Sequence, residues 1–238
     1  MNITCYASSS AGNCYVVSCG TEHIMVECGL PIKTIRTRLL SSGIPLSSIR
    51  ACLVTHLHGD HSLGALALSN SGIPVYASFE TLTACGINDN AKTLTEWKQT
   101  RISDTSFYVL PFEVEHDCAG AFGFIITYAT EKLLFINDTS GLKWDLSHWK
   151  FNHVMIECNY VPERLIANND VIALRKANSH MMLDVAKDIL AKLDLSRCES
   201  IYLMHLSDTN SDEPRMKKEV SEKFGIPTYV CGKNGGAQ

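Results

Sequence analysis

Val54-Thr55-His56-Leu57-His58-Gly59-Asp60-His61 places four side chains able to bind metal directly behind an apolar run. In an extended chain successive side chains alternate, so His56 and His58 share one side while Leu57 faces the other. Gly59 permits a tight turn. Asp60 and His61 then open a helix and can aim at a neighbouring point. One cation would take His56 and His58, and a second would take Asp60 and His61. A lone histidine is usually a satisfied core residue. Three histidines and an aspartate packed behind one strand read instead as a metal site, and imidazole with carboxylate suits zinc, manganese or iron.

Two cations need more ligands, and further candidates stand at the ends of other apolar strands. His116 closes Glu113–His116 and would complete the first site. Asp138 follows Leu133-Leu134-Phe135-Ile136, and a carboxylate there can bridge cations ~3.5–4 Å apart. His205 follows Ile201–Met204 and would complete the second site. Glu157 ends the strand that contains Val154-Met155-Ile156, and His180 precedes a long helix. A carboxylate bonded to an imidazole fixes its tautomer and favours its charged form, which suits a proton donor. His23, His148 and His153 fit none of this.

The rest of the chain alternates short strands and helices. Strands are predicted at Asn2–Tyr6, Tyr15–Cys19, His23–Val26, Ala51–Thr55 and Pro74–Ala77. A pair, Phe107–Leu110 and Glu113–His116, is broken near Pro111. A hairpin of Phe122–Ala129 and Lys132–Asn137 turns at Thr130-Glu131. Val154–Glu157, Ser200–Met204 and Thr228–Val230 complete the strands. Helices are predicted at Pro31–Ser42, Ser62–Ser69, His180–Leu193 and Asp212–Phe224. Pattern alone supports an α/β class, and the β-rich start with later βα alternation suggests two sheets with helices outside.

Composition narrows the function. The 238 residues suit one domain spanning 1–238, with 45% hydrophobic residues. No apolar run approaches the ~20 residues of a membrane span, and Met1-Asn2-Ile3-Thr4-Cys5 lacks the features of a secretory signal, so a cytoplasmic location is expected. The ten cysteines are scattered without a C-x-x-C pair and read as reduced and buried. A net charge of −4 disfavours long nucleic acid tracts. The basic cluster Arg215, Lys217, Lys218 and Lys223 reads as a solvated helix face.

The run His56-Leu57-His58-Gly59-Asp60-His61 matches the H-x-H-x-D-H signature, and the chain is identified as resembling the metallo-β-lactamase superfamily. That implies an αββα sandwich, two mixed β-sheets flanked by helices. Ser8-Ser9-Ser10-Ala11-Gly12-Asn13-Cys14 resembles the first loop of the YycJ/WalJ branch, and Ile201-Tyr202-Leu203-Met204-His205-Leu206-Ser207-Asp208 resembles its last ligand motif. With Met155-Ile156-Glu157-Cys158-Asn159-Tyr160 and Asn210-Ser211-Asp212-Glu213, the whole is similar to short members encoded by phages and prophages, some of them anti-Pycsar phosphodiesterases. The resemblance implies two divalent ions, Zn2+ ahead of Mn2+ or Mg2+, on His56, His58, Asp60, His61, His116, Asp138 and His205. It implies catalytic roles for His180, Glu157 and Asp60, the first two matching a proton-donating pair of the tRNA 3′-processing nucleases. Substrate contacts are expected from Tyr160, Ser10 and Asn13, with Phe122 a second aromatic candidate. The implied substrate is a cyclic mononucleotide such as cCMP, cUMP, cAMP or cGMP, handled by a homodimer that counteracts host signalling. A nuclease acting on DNA or RNA is the alternative. Glu27 stands where the family usually has aspartate, Asp138 replaces the cysteine of true β-lactamases, and no long tRNA-gripping insertion is evident.

Overall fold

Residue alternation along the strands sorts the apolar side chains into three layers. On β2 (Cys14–Cys19), Tyr15 and Val17 point one way and Val16 the other; on β10 (Glu131–Ile136), Leu133 and Phe135 oppose Leu134 and Ile136. The computed structural model, which describes residues 1–167 and 179–237, shows where the layers lie. Tyr15, Val17, Phe107, Phe124, Phe135 and Met155 meet between two sheets. Val16, Met25 and Cys52 pack outward beneath Ile35, Leu39 and Leu68. Leu134, Ile156 and Leu203 pack outward beneath Ala186, Leu190, Met216 and Val220. The result is the expected αββα sandwich.

Each sheet follows chain order. The first holds β1 (Asn2–Ala7), β2, β3 (Glu22–Cys28), β4 (Ile49–Leu53), β5 (Val75–Ala77) and β6 (Ala91–Thr93). The second holds β7 (Thr100–Arg101), β8 (Phe107–Glu113), β9 (Phe122–Tyr128), β10, β11 (His153–Glu157), β12 (Ser200–Met204) and β13 (Thr228–Val230). Both start antiparallel and become parallel, at the β3–β4 and β10–β11 pairings. Helices α1 (Ile32–Ser41), α2 (Gly59–Ser62), α3 (Ala65–Asn70) and α4 (Phe79–Ala84) belong to the first half; α5 (Pro162–Ala167), α6 (Leu183–Lys192) and α7 (Glu213–Phe224) belong to the second. No helix among the described residues is long and apolar enough to cross a membrane. All ten cysteines are free thiols; seven are buried, while Cys85, Cys118 and Cys198 are only partly so.

Several boundaries differ from the sequence expectation, each for a local reason. Pro111 does not break its strand, and β8 runs through it. Its carbonyl accepts from Trp97 N–H, so its nitrogen faces that same outer edge, beyond the end of β7, and no bond to β9 is lost. Val114–His116 consequently lie past the strand rather than in a second one. The expected helix 62–69 is interrupted at Leu63-Gly64, because Gly64 N–H donates to Cys28 O at 2.8 Å. The strand expected over Ala51–Thr55 ends at Leu53. The helix expected from His180 begins at Leu183, with Met182 held in extended backbone beside Tyr160. Asp212 caps α7 by accepting from Arg215 N–H, so that helix starts one residue later than expected.

Candidate metal centre

Strands β8, β10, β11 and β12 of the second sheet and β4 of the first deliver polar residues to one edge of the sandwich. His56, His58, Asp60 and His61 follow β4 and enter α2. His116 follows β8, Asp138 follows β10, Glu157 ends β11 and His205 follows β12. All seven expected ligands converge, in two groups that meet at Asp138.

In the first group His56 Nε2 lies 3.1 Å from His58 Nδ1, and His116 Nε2 lies 3.1 Å from that same atom. In the second, Asp60 Oδ2 is 3.3 Å from His61 Nε2 and 3.4 Å from His205 Nε2. Asp138 Oδ2 is 3.1 Å from His61 Nε2, 3.7 Å from His56 Nε2 and 3.8 Å from His116 Nε2. One carboxylate oxygen therefore stands between the two groups. The ligand atoms of Asp60, His61, Asp138 and His205 all lie within 4.8 Å of one another.

Burial and charge divide the groups. Burial, reinforced by the neighbouring His61, pushes His56 well below the usual imidazole range, and burial lowers His116 as well. Those rings are neutral, with lone pairs free for a cation. Burial also opposes charge on His61 and His205, but Asp138 outweighs it and holds both well above the ordinary value. Burial works against an anion at Asp138 and Asp60, yet the same two histidines keep both carboxylates low. Among the described residues, buried His205 Nε2 makes no hydrogen bond and has only Asp60 Oδ2 facing it at 3.4 Å. Converging imidazole nitrogens, a carboxylate between them and an orphaned ring nitrogen fit divalent metal binding, in which a cation replaces the protons on His61 and His205.

Behind the donors stands a buried support. Thr55 Oγ donates to Glu27 and lies 2.9 Å from His56 Nδ1; Glu27 Oε1 also faces His61 Nδ1 at 3.5 Å. Glu27 thus orients one ring from each group. Glu27, Asp138 and His205 have φ of 63°, 49° and 54°, left-handed values that cost non-glycine residues roughly 1–2 kcal/mol each. The surrounding packing holds these side chains where an ordinary strand end would not.

Glu157 and His180 pair as expected, with His180 Nδ1 2.7 Å from Glu157 Oε1 and 3.9 Å from Asp138 Oδ1. Burial disfavours a charged His180, but the Glu157 hydrogen bond and charge prevail and raise its pKa. Glu157 is fully buried, also accepts from Thr139 N–H, and faces His205 Nδ1 at 3.3 Å.

The expected substrate contacts fare differently. Asn13 is fully buried: its amide nitrogen donates to Ser9 O and Asp60 O, and its backbone N–H donates to Asp60 O at 2.7 Å. It braces the ligand turn and does not face an open site. Tyr160 is 7% exposed, and Phe122, equally buried, belongs to the core between the sheets; neither ring offers an open face for stacking. Ser10 is exposed on the β1–β2 loop. Cys118 had no place in the sequence reading, yet its sulfur joins the His56, His58 and His116 nitrogens in a second group within 4.8 Å.

Residues 24–206 match the model of the Beta-lactamase superfamily domain. The chain belongs to the metallo-β-lactamase superfamily. The chain is similar to exodeoxyribonuclease WalJ of Streptococcus pneumoniae, 23% identical over 219 residues that cover 86% of this chain and 81% of WalJ. Two solved structures share the architecture, the first of them a metallo-β-lactamase fold protein. YhfI from Bacillus subtilis superposes with a TM-score of 0.75 at 16% identity, covering 99% of this chain and 98% of its own. The short form of human tRNase Z superposes with a TM-score of 0.63 at 18% identity, covering 87% and 93%. A metallo-β-lactamase domain of this kind is a metal-dependent hydrolase, and the His/Asp cluster described above is its candidate centre.

Proposed function

We propose that the chain is a dinuclear metal-dependent phosphodiesterase that opens the cyclic phosphodiester of a mononucleotide, such as cCMP, cUMP, cAMP or cGMP, to the linear nucleotide. The observation that carries this reading is the Glu157–His180 pair, 2.7 Å apart and beside the shared carboxylate of Asp138. Two bound cations would neutralise the phosphate and acidify water for attack. Asp138 would hold both positions in register. Glu157, buried and aimed at His180 Nδ1, keeps that ring protonated and leaves Nε2–H to donate to the departing ribose oxygen. Hydrolysis of a carbonyl compound needs less help of this kind, because many such leaving groups depart without a strong acid.

The small size of the substrate is supported by the local charge balance. Arg215 is engaged by Glu163 and Glu219, Lys187 by Asp184 and Glu219, and Arg164 by Asp212. Within the basic cluster noted in the sequence, Arg215 is thus already matched, and Asp117 adds an exposed carboxylate beside His58 and His116. A polyanion gains from unmatched cations, and each pairing of this kind lessens that gain. Ser10 remains in the proposal as a substrate contact, and the homodimer and the role against host signalling belong to it as well, on the strength of the sequence resemblance.

A second reading, an exonuclease acting on DNA or RNA, is favoured by the similarity to WalJ. The experiment is a parallel incubation of the metal-loaded protein with the four cyclic nucleotides and with single-stranded DNA, followed by chromatography. Linear nucleotide is the expected product, greatly reduced in His180→Ala. Degradation of the DNA with every cyclic nucleotide intact would overturn the proposal in favour of the nuclease.

A further inference from the structure

We infer that Cys118 is a further protein donor to the first cation, joining His56, His58, His116 and the shared Asp138, and that its thiolate selects zinc at that position. The inference rests on the metal-centre part of the proposed function and is independent of the substrate.

Two observations meet at this sulfur. First, it lies within 4.8 Å of all three histidine donor atoms, which are themselves 3.1 Å apart where the rings touch. A tetrahedral zinc with Zn–N of ~2.0–2.1 Å and Zn–S of ~2.3 Å separates its nitrogens by about 3.3 Å and nitrogen from sulfur by about 3.6 Å. With the donor atoms within 4.8 Å of one another, the sulfur has to close in by about 1.2 Å at most to reach that separation. Second, the loop after β8 alternates: His116 turns inward, Asp117 is 65% exposed, and Cys118 turns back inward. Cys118 also packs against the outer core of the second sheet, which is all that a plain buried cysteine would do.

Coordination has a simple balance. The S–H bond breaks, the proton leaves to solvent, and the sulfur lone pair forms the bond to the cation. A thiolate is a soft donor and favours zinc over manganese or magnesium, which prefer oxygen. The first position is thus zinc-selective, whereas the second, with Asp60 and Asp138 beside two imidazoles, accepts harder cations more readily.

The test uses the whole chain stripped of metal and reloaded with Co2+, read by absorption spectroscopy and by cobalt analysis. The wild type should show visible ligand-field bands together with a near-ultraviolet thiolate-to-cobalt charge-transfer band. Cys118→Ala and Cys118→Ser should keep the visible bands and lose the charge-transfer band. Both variants should also lose zinc to a chelator at least ~10-fold more readily. Cobalt bound to the wild type without the charge-transfer band overturns the inference. So does a band that persists in both variants, because it would then come from one of the nine other cysteines. Failure to bind cobalt at all removes this inference and the metal centre together, while cobalt bound without cyclic nucleotide hydrolysis removes only the proposed substrate.

Discussion

Replacing Gly29 with alanine should empty the second cation position while leaving the first largely filled. Gly29 lies face to face with the Asp60–His61 peptide, and a Cβ added there would sit 1.7 Å from Asp60 O, 2.1 Å from Asp60 C and 2.7 Å from His61 N. To reach 3.0 Å, below which real Cβ atoms are essentially never found, one backbone must move by about 1.3 Å. The Gly29 side cannot yield easily, since Gly29 N–H donates to Asn13 O and Asn13 N–H donates back to Asp60 O. The turn carrying Asp60 and His61 must shift instead. Metal–ligand distances tolerate only ~0.2 Å, so the displacement is several times too large. Overpacking of this kind costs ~1–3 kcal/mol. At the upper end that lowers Tm by roughly 6–12 °C for a chain of this length. Hydrolysis should fall on the order of 10²-fold. Metal content by mass spectrometry and Tm by calorimetry, with and without added zinc, read both effects. Gly59→Ala is the matched control, because a Cβ at Gly59 meets nothing within 4 Å. Two cations per chain in Gly29→Ala, at wild-type Tm and rate, would show that the close approach does not position the ligands.

Removing Asp138 as alanine takes away the oxygen shared by both groups and leaves His61 and His205 without their main counter-charge; metal affinity should drop on the order of 10²-fold or more, and unchanged zinc retention in equilibrium dialysis would refute the shared role. His180→Ala should lower kcat by ~10²–10⁴-fold with metal content intact; loss of metal instead would make His180 a ligand. Glu157→Gln should move the alkaline limb of the kcat/KM profile to lower pH. The donor must be protonated, so activity is lost as pH rises through the pKa of His180. Glu157 raises that pKa, and removing its charge brings the loss earlier. An unmoved limb measured across buffers would assign it to another group.

Much of the centre was legible before the fold was seen, because its ligands sit at strand ends and strands announce themselves by apolar runs. His56, His58, Asp60 and His61 are local in sequence, and His116, Asp138, Glu157 and His205 each follow or end such a run. Other features depended on contacts that no local pattern encodes. Pro111 reads as a breaker until its nitrogen is found to face a sheet edge. The short β6 and β7, and α4 and α5, carry too little periodicity to be recognised. Asn13 sits in a loop that invites a substrate role, and only burial against the Asp60 carbonyl shows that it braces the turn. In sequence Glu27 shows only as a departure from the family's usual aspartate, whereas in the fold it supports His56 through Thr55 and faces His61. Cys118 was one thiol among ten. Its spacing of two from His116 was the available signal, and that signal gained meaning once the loop after β8 brought the sulfur to the three histidines.

The chain order of the two sheets has a consequence for assembly. Residues up to Thr93 build one leaf and contribute His56, His58, Asp60 and His61; residues from Thr100 onward build the other and contribute His116, Asp138, Glu157, His180 and His205. A cation seated among them is a clasp between the leaves, so its binding energy adds to the free energy of closing the book. If the chain were cut between Leu94 and Gln99, the two fragments should find each other far better with zinc than with a chelator, and catalysis and reassembly would share one metal titration curve.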